Sequence, residues 1–139
     1  MNLQRVVLDT NIYIGHWERG LYDEALQQVR RAFLVRHSAV VLSELRRGAR
    51  TREAERTVAR LRALARDPWT PNHNDWWEAG RIVRTLGDAH DWDRGKRREF
   101  QNGALIALTA RRHGATVVTA NRDDFELLGR TLSVRILTV

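Results

Sequence analysis

The sequence predicts an α/β fold: a three-layer α/β/α sandwich around a central, mostly parallel sheet. Three observations lead there. The strand-like runs are short and wholly apolar, as in strands covered on both faces. Helical periodicity fills the stretches between them. The order reads β-α-α-β-α-α-α-α-β-α-β, and crossover connections then place helices on both faces of the sheet. A chain of 139 residues, 42% hydrophobic, suits one domain with one core, taken as residues 1–139.

The first strand is read around Val6-Val7-Leu8, and Asp9-Thr10-Asn11 are the turn and cap residues that end it. A short helix through Ile12–Ile14 follows, ended by Gly15 or Gly20. Leu21, Ala25, Leu26, Val29, Ala32 and Phe33 recur at helical spacing. His37–Leu42 is read as the second buried strand, with Ser43-Glu44 where it gives way to a helix. Arg52–Arg66 is helical and stops at Asp67-Pro68, and both prolines lie in the loop over 68–74. Asn74 or Asp75 caps the next helix, which packs Trp76 or Trp77 inward and ends at Gly87. His90–Gln101 reads as a polar stretch, and Asn102–His113 as the most apolar helix, with Gly114 just past its end. Ala115–Thr119 is a strand, Asn121–Leu128 a short capped helix, and Ser133–Val139 the last strand.

Composition excludes several classes. With no Cys, disulfide scaffolds, thiolate metal sites and thiol chemistry are out. No apolar run approaches the ~20 residues of a membrane helix. Met1–Asp9 lacks a basic region followed by a long apolar stretch, so no secretory signal is expected and a cytoplasmic protein is. The net charge is +7, and 23 of the 24 basic residues are arginine, Lys96 being the only lysine. That balance favours a polyanionic partner such as nucleic acid or an acidic protein. None of the five His has a partner pattern for nucleophilic catalysis, and no Gly-rich phosphate loop is present. The stretch Asp88–Asp93 lacks ligand spacing and reads as a solvated loop, and the five Trp read as core or interface rather than base-stacking platforms.

The chemistry is expected at the carboxyl ends of the strands, where open parallel sheets bind ligands. Asp9 follows the first strand, Glu44 the second, and Asp123 and Asp124 the third. Taken singly, each is more often a cap or a surface residue. Together they bring carboxylates from three segments to one edge, where mutual repulsion is costly unless a cation joins them. Hard oxygen donors suit Mg²⁺ or Mn²⁺, which can bind phosphate and activate a water against it.

Four segments carry a resemblance. Val7-Leu8-Asp9-Thr10-Asn11-Ile12 resembles the opening motif of PIN-domain ribonucleases, and Leu42-Ser43-Glu44-Leu45-Arg46-Arg47-Gly48 their second acidic motif. Asn102-Gly103-Ala104-Leu105-Ile106-Ala107 and Val118-Thr119-Ala120-Asn121-Arg122-Asp123-Asp124-Phe125 are similar to the third and fourth. The order is right and the likeness, greatest to VapC-type toxins, spans nearly the whole chain. It implies a PIN fold, Mg²⁺- or Mn²⁺-dependent endoribonuclease activity, a homodimer and a cognate VapB-like antitoxin. Asp9, Glu44 and Asp124 carry over as metal-binding and catalytic carboxylates, Glu44 also as an orienter of water. Thr10 and Asn11 carry over as holders of the Asp9 loop, and Thr119, Asn121 and Asp123 as flanking residues.

One position departs. The family's third carboxylate precedes Ala-Leu-Ile-Ala, and here Gly103 stands there, read as lying near the start of its helix. Three accounts stand open: a weak or dead nuclease, substitution by Asn102 or Glu99, or an inactivating change. The alternative function is therefore a catalytically impaired PIN module that mainly binds antitoxin or RNA. Arg46, Arg47, Arg50, Arg97 and Arg98 are the candidate RNA phosphate contacts, each weighed against a plain solvated face.

Overall fold

The computed structural model describes residues 3–139; Met1 and Asn2, which open the expected domain and the segment read for a leader, lie outside the described residues. Four strands and seven helices follow in the expected order: β1 (Arg5–Leu8), α1 (Thr10–Arg19), α2 (Asp23–Ala32), β2 (Leu34–Arg36), α3 (Ala39–Gly48), α4 (Arg52–Leu64), α5 (His73–His90), α6 (Arg94–Arg112), β3 (Thr116–Thr119), α7 (Arg122–Leu132) and β4 (Arg135–Thr138). All strand pairings are parallel, in the order β2-β1-β3-β4. Val6, Val7, Leu8 and all of Thr116–Thr119 are buried, as strands sandwiched between two helical layers must be. The core continues into α5 and α6 through Ile82, Phe100, Leu105, Ile106 and Leu108. No helix among the described residues is long and apolar enough to cross a membrane.

This strand order places a topological switch between β1 and β3. From β1 the chain leaves toward β2 on one side; from β3 it leaves toward β4 on the other. The crevice beyond the carboxyl ends of two such neighbours is where parallel sheets place their ligands. Val7 pairs with Val117 and Leu8 with Val118, so Asp9 and Thr119 emerge side by side at that crevice.

Several sequence expectations are corrected. His37–Leu42 is not a strand: Ser38 caps α3, its Oγ accepting from Val41 N–H at 3.3 Å, and Val41 and Leu45 bury one turn apart. A short apolar run serves a buried helix as well as a buried strand, and the capping serine decides for the helix. The true second strand is Leu34–Arg36, directly after α2. Of the two glycines expected to end α1, Gly20 does so in the left-handed conformation, and Gly15 does not. It lies within the helix, where a Cβ would stand 2.6 Å from the Tyr22 ring.

α5 is capped by Asn72 rather than Asn74 or Asp75, in a reciprocal box with Asp75. It runs through Gly87, whose missing side chain lets the Arg97 guanidinium lie where a Cβ would be only 2.8 Å away. Trp76 and Trp77 are 51% and 76% exposed rather than core, whereas Trp69 is buried and stacks on His113 at 4.1 Å. The polar stretch before Asn102 is helical from Arg94, because Asp93 caps it by accepting from Lys96 N–H at 2.8 Å. Gly103 therefore sits in the middle of α6.

Candidate active site

Asp9 ends β1 and caps α1. Its Oδ1 accepts from Thr10 N–H at 2.8 Å, and its Oδ2 from the Thr119 hydroxyl at 2.8 Å. Its own N–H donates to Val118 O, extending the β1–β3 ladder by one rung. Thr119 in turn accepts from Asn121 N–H at 3.0 Å, and Asn11 Oδ1 accepts from Ala120 N–H at 3.3 Å. The β1–α1 and β3–α7 turns are thereby stitched together, and the N-termini of α1 and α7 open at the same crevice. Both contribute positive potential there.

Glu44 reaches this place from the second turn of α3, not from a strand end. It is held there by the Thr10 hydroxyl, which donates to its Oε1 at 2.7 Å, and by Asn102 Nδ2, which donates to its Oε2 at 3.3 Å. Asp124 lies in the first turn of α7. Asn121, the cap of that helix, donates to its Oδ2 at 3.0 Å. Lys96, from the start of α6, donates to both Asp124 oxygens, at 2.6 and 2.8 Å.

Asp9 senses the other two carboxylates. Burial of Asp9 raises its pKa to about 6, and the nearby negative charges of Glu44 and Asp124 push it in the same direction. The Thr119 and Thr10 hydrogen bonds oppose this without cancelling it. A buried carboxylate hemmed in by two others is electrostatically short of a cation. Hard oxygen donors of this kind fit a divalent ion such as Mg²⁺. The fit is one of donor chemistry: no group of three or more His, Cys, Asp or Glu among the described residues stands close enough to hold an ion as it is. Asp124 spends its oxygens on Lys96 instead.

The other expected residues divide. Asp123 is exposed on the outer side of the α7 start. Arg97 faces α5, its Nε donating to Trp92 O at 2.9 Å and its Nη1 to Asp88 at 3.0 Å. Arg46 lines a groove of about 690 Å³ between α3 and α4 that holds none of the three carboxylates. Arg47, Arg50 and Arg98 are exposed. Of the two substitutes considered for Gly103, Asn102 is bonded into the site and Glu99 is exposed. A Cβ on Gly103 would meet Leu128 and Phe125 of α7 at 3.5 and 3.7 Å, which is ordinary contact.

Lys96 is the residue that sequence reasoning left out of the site. Its signal was the seven-residue spacing to Gly103, two helical turns on one face. That spacing becomes visible only once α6 is known to begin at Arg94.

Comparison with known proteins agrees with this architecture. The family model of the PIN domain matches residues 6–130. No curated protein matches the chain. Among solved structures, VapBC2 from Rickettsia felis, bound to a DNA fragment from its promoter, aligns with TM-score 0.69 at 21% identity, covering 97% of this chain and 98% of that one. VapBC-1 from nontypeable Haemophilus influenzae aligns with TM-score 0.70 at 21% identity, covering 96% and 97%. VapBC-5 from Mycobacterium tuberculosis, of the VapBC family of toxin–antitoxin systems, aligns with TM-score 0.63 at 26% identity, covering 98% and 99%. The resemblance drawn from the four motifs is thus borne out.

Proposed function

The chain belongs to the PIN-domain family, and from that premise we propose that it is a metal-dependent endoribonuclease toxin of a type II toxin–antitoxin pair, hydrolysing RNA phosphodiesters. The observation that carries the reading is Asp9: a buried carboxylate at the sheet's switch point, pushed up to about 6 with two more carboxylates beside it. Asp9, Glu44 and Asp124 would hold Mg²⁺ or Mn²⁺. When bound, such an ion supplies a Lewis acid for the phosphate and acidifies a water.

The chain's own residues do the rest. Thr10 N–H and the Thr119 hydroxyl hold one oxygen of Asp9 each, which fixes the orientation of its carboxylate. Thr10 and Asn102 hold Glu44 at both oxygens, which suits it to orient the attacking water. The helix N-termini at Asp9 and Asn121 favour the phosphate's charge. Exposed Arg47, Arg50 and Arg98 add affinity for the backbone without choosing sequence.

The partner is a VapB-like antitoxin, as in the VapBC complexes that share the fold. A groove of about 290 Å³, part apolar and part acidic through Glu18 and Glu53, supports such a partner. It lies between α1, α3 and α4 and is lined by Ile14, Trp17, Leu45, Ala54 and Val58. The toxin itself is a homodimer in this reading, and it acts in the cytoplasm.

Two observations favour the second reading, a catalytically impaired module: Gly103 supplies no ligand, and Lys96 already occupies Asp124. RNA incubated with the protein and Mg²⁺ or Mn²⁺ separates them. Cleavage that stops with EDTA and in Asp9→Ala supports the enzyme. Tight RNA or antitoxin binding without cleavage supports the module.

A further inference from the structure

Lys96 has an unusual setting. Its ammonium bonds both oxygens of Asp124, at 2.6 and 2.8 Å, and sits 5.4 Å from the Trp92 ring centroid and 5.8 Å from that of Phe100. A carboxylate and two π-faces together form a niche for a cation. The pair is only partly open to solvent, with side chains 33% and 17% exposed. Screening is accordingly weaker than for a surface pair. Lys96 also lies two helical turns from Gly103 on one face of α6. Where the family places a carboxylate, this chain has none; where the site needs positive charge, the chain has an amine.

The choice of amine is informative. This sequence uses arginine at 23 of its 24 basic positions. Its single lysine stands on a site carboxylate. A guanidinium fork would grip Asp124 in fixed bidentate geometry, whereas an ammonium on a flexible stem can let go and swing aside.

We propose that Lys96 is a latch on the divalent-ion site, a resident monovalent cation that holds Asp124 until a divalent ion displaces it and so sets that ion's affinity. The inference rests on the metal-dependent reading above. Lys96 acts through Asp124 and is a positioning residue. Ion and ammonium compete for the same two oxygens, so removing one strengthens the hold of the other by the same factor.

The test is direct Mn²⁺ binding, read from the electron paramagnetic resonance of free Mn²⁺, on the full chain at fixed neutral pH and ionic strength. Lys96→Met should tighten Mn²⁺ binding about tenfold, toward the lower end of usual coupling factors. Lys96→Arg should weaken it by a similar factor, because the fork does not yield. In an Asp124→Asn background, Lys96→Met should change the affinity less than twofold, roughly the scatter expected of uncoupled sites. A purely structural tie between α6 and α7 predicts the reverse: Lys96→Arg restores wild-type behaviour and Lys96→Met lowers only the melting temperature.

Wild-type Mn²⁺ binding that Lys96→Met leaves unchanged or weakens overturns the latch and spares the metal site. Binding by none of the proteins, Lys96→Met included, overturns both. Should Lys96→Met not fold by circular dichroism, Lys96→Arg decides alone, with unchanged affinity counting against the latch.

Discussion

Replacing Asp9 with Asn should make the ion-free protein more stable, although it destroys the proposed metal anchor. Asp9 is 7% exposed, and burial is the largest cause of its raised pKa. A rise from 3.8 to about 6 means that the ionised form costs the fold about 3 kcal/mol at neutral pH. The sign follows from proton binding. The native state binds the Asp9 proton more tightly than the unfolded chain, so this stabilisation is fully present below the unfolded pKa and lost as pH rises through the folded one. Asn is never charged and escapes the loss.

The Asn side chain keeps one bond unchanged, its oxygen accepting from Thr10 N–H. Its amide must donate to the Thr119 hydroxyl, which at present donates to Asp9. Turning that hydroxyl costs about 1 kcal/mol, so the net gain is about 2 kcal/mol. For a chain of this length that is roughly 8 °C in Tm. The assay is thermal unfolding by circular dichroism in EDTA across pH. The gap should be widest above pH about 6 and should close toward pH about 4 as both proteins carry an uncharged group. A variant less stable than wild type at neutral pH, or a gap that ignores pH, would refute the electrostatic account of Asp9.

Other outcomes follow from the same geometry. Mn²⁺ at about a hundred times its Kd should stabilise wild type by about 2.7 kcal/mol and leave Asp9→Asn unmoved, measured by the same melts. Gly103→Ala should raise stability by up to about 1 kcal/mol, since the helix interior gains a residue of better propensity and the added Cβ makes only ordinary contact with Leu128 and Phe125; denaturant titration reads this. Gly103→Asp should raise Mg²⁺-dependent RNA cleavage, and unchanged cleavage with intact folding would count against a missing ligand there. Ser38→Ala should lower stability by about 1 kcal/mol through loss of the α3 cap, and Phe100→Ala by about 3–5 kcal/mol through a core cavity, both by chemical denaturation.

The order of elements was legible because burial on two faces and burial on one face leave different periods in a chain. Val6-Val7-Leu8 and Val117-Val118 announced themselves as strands, and Asp9 and Asn121 as caps, from local sequence alone. Local sequence could not separate the apolar run at Ala39–Leu42 from a strand. Whether Val41 and Leu45 share a face depends on what packs above them. Nor could it show that α6 begins at Arg94, since a polar first turn looks like a loop until its cap is seen.

The carboxylates this protein owns, and the position of two of them just after β1 and β3, can be read from the residues alone. Which groups meet depends on packing. Glu44 arrives from within a helix, Asn102 bonds to it across 58 positions of chain, and Lys96 bonds Asp124 across 28. The reason is physical: a side chain's backbone neighbours fix its local conformation, but its charge partner is set by how the helices pack against the sheet, and no short stretch of sequence records that.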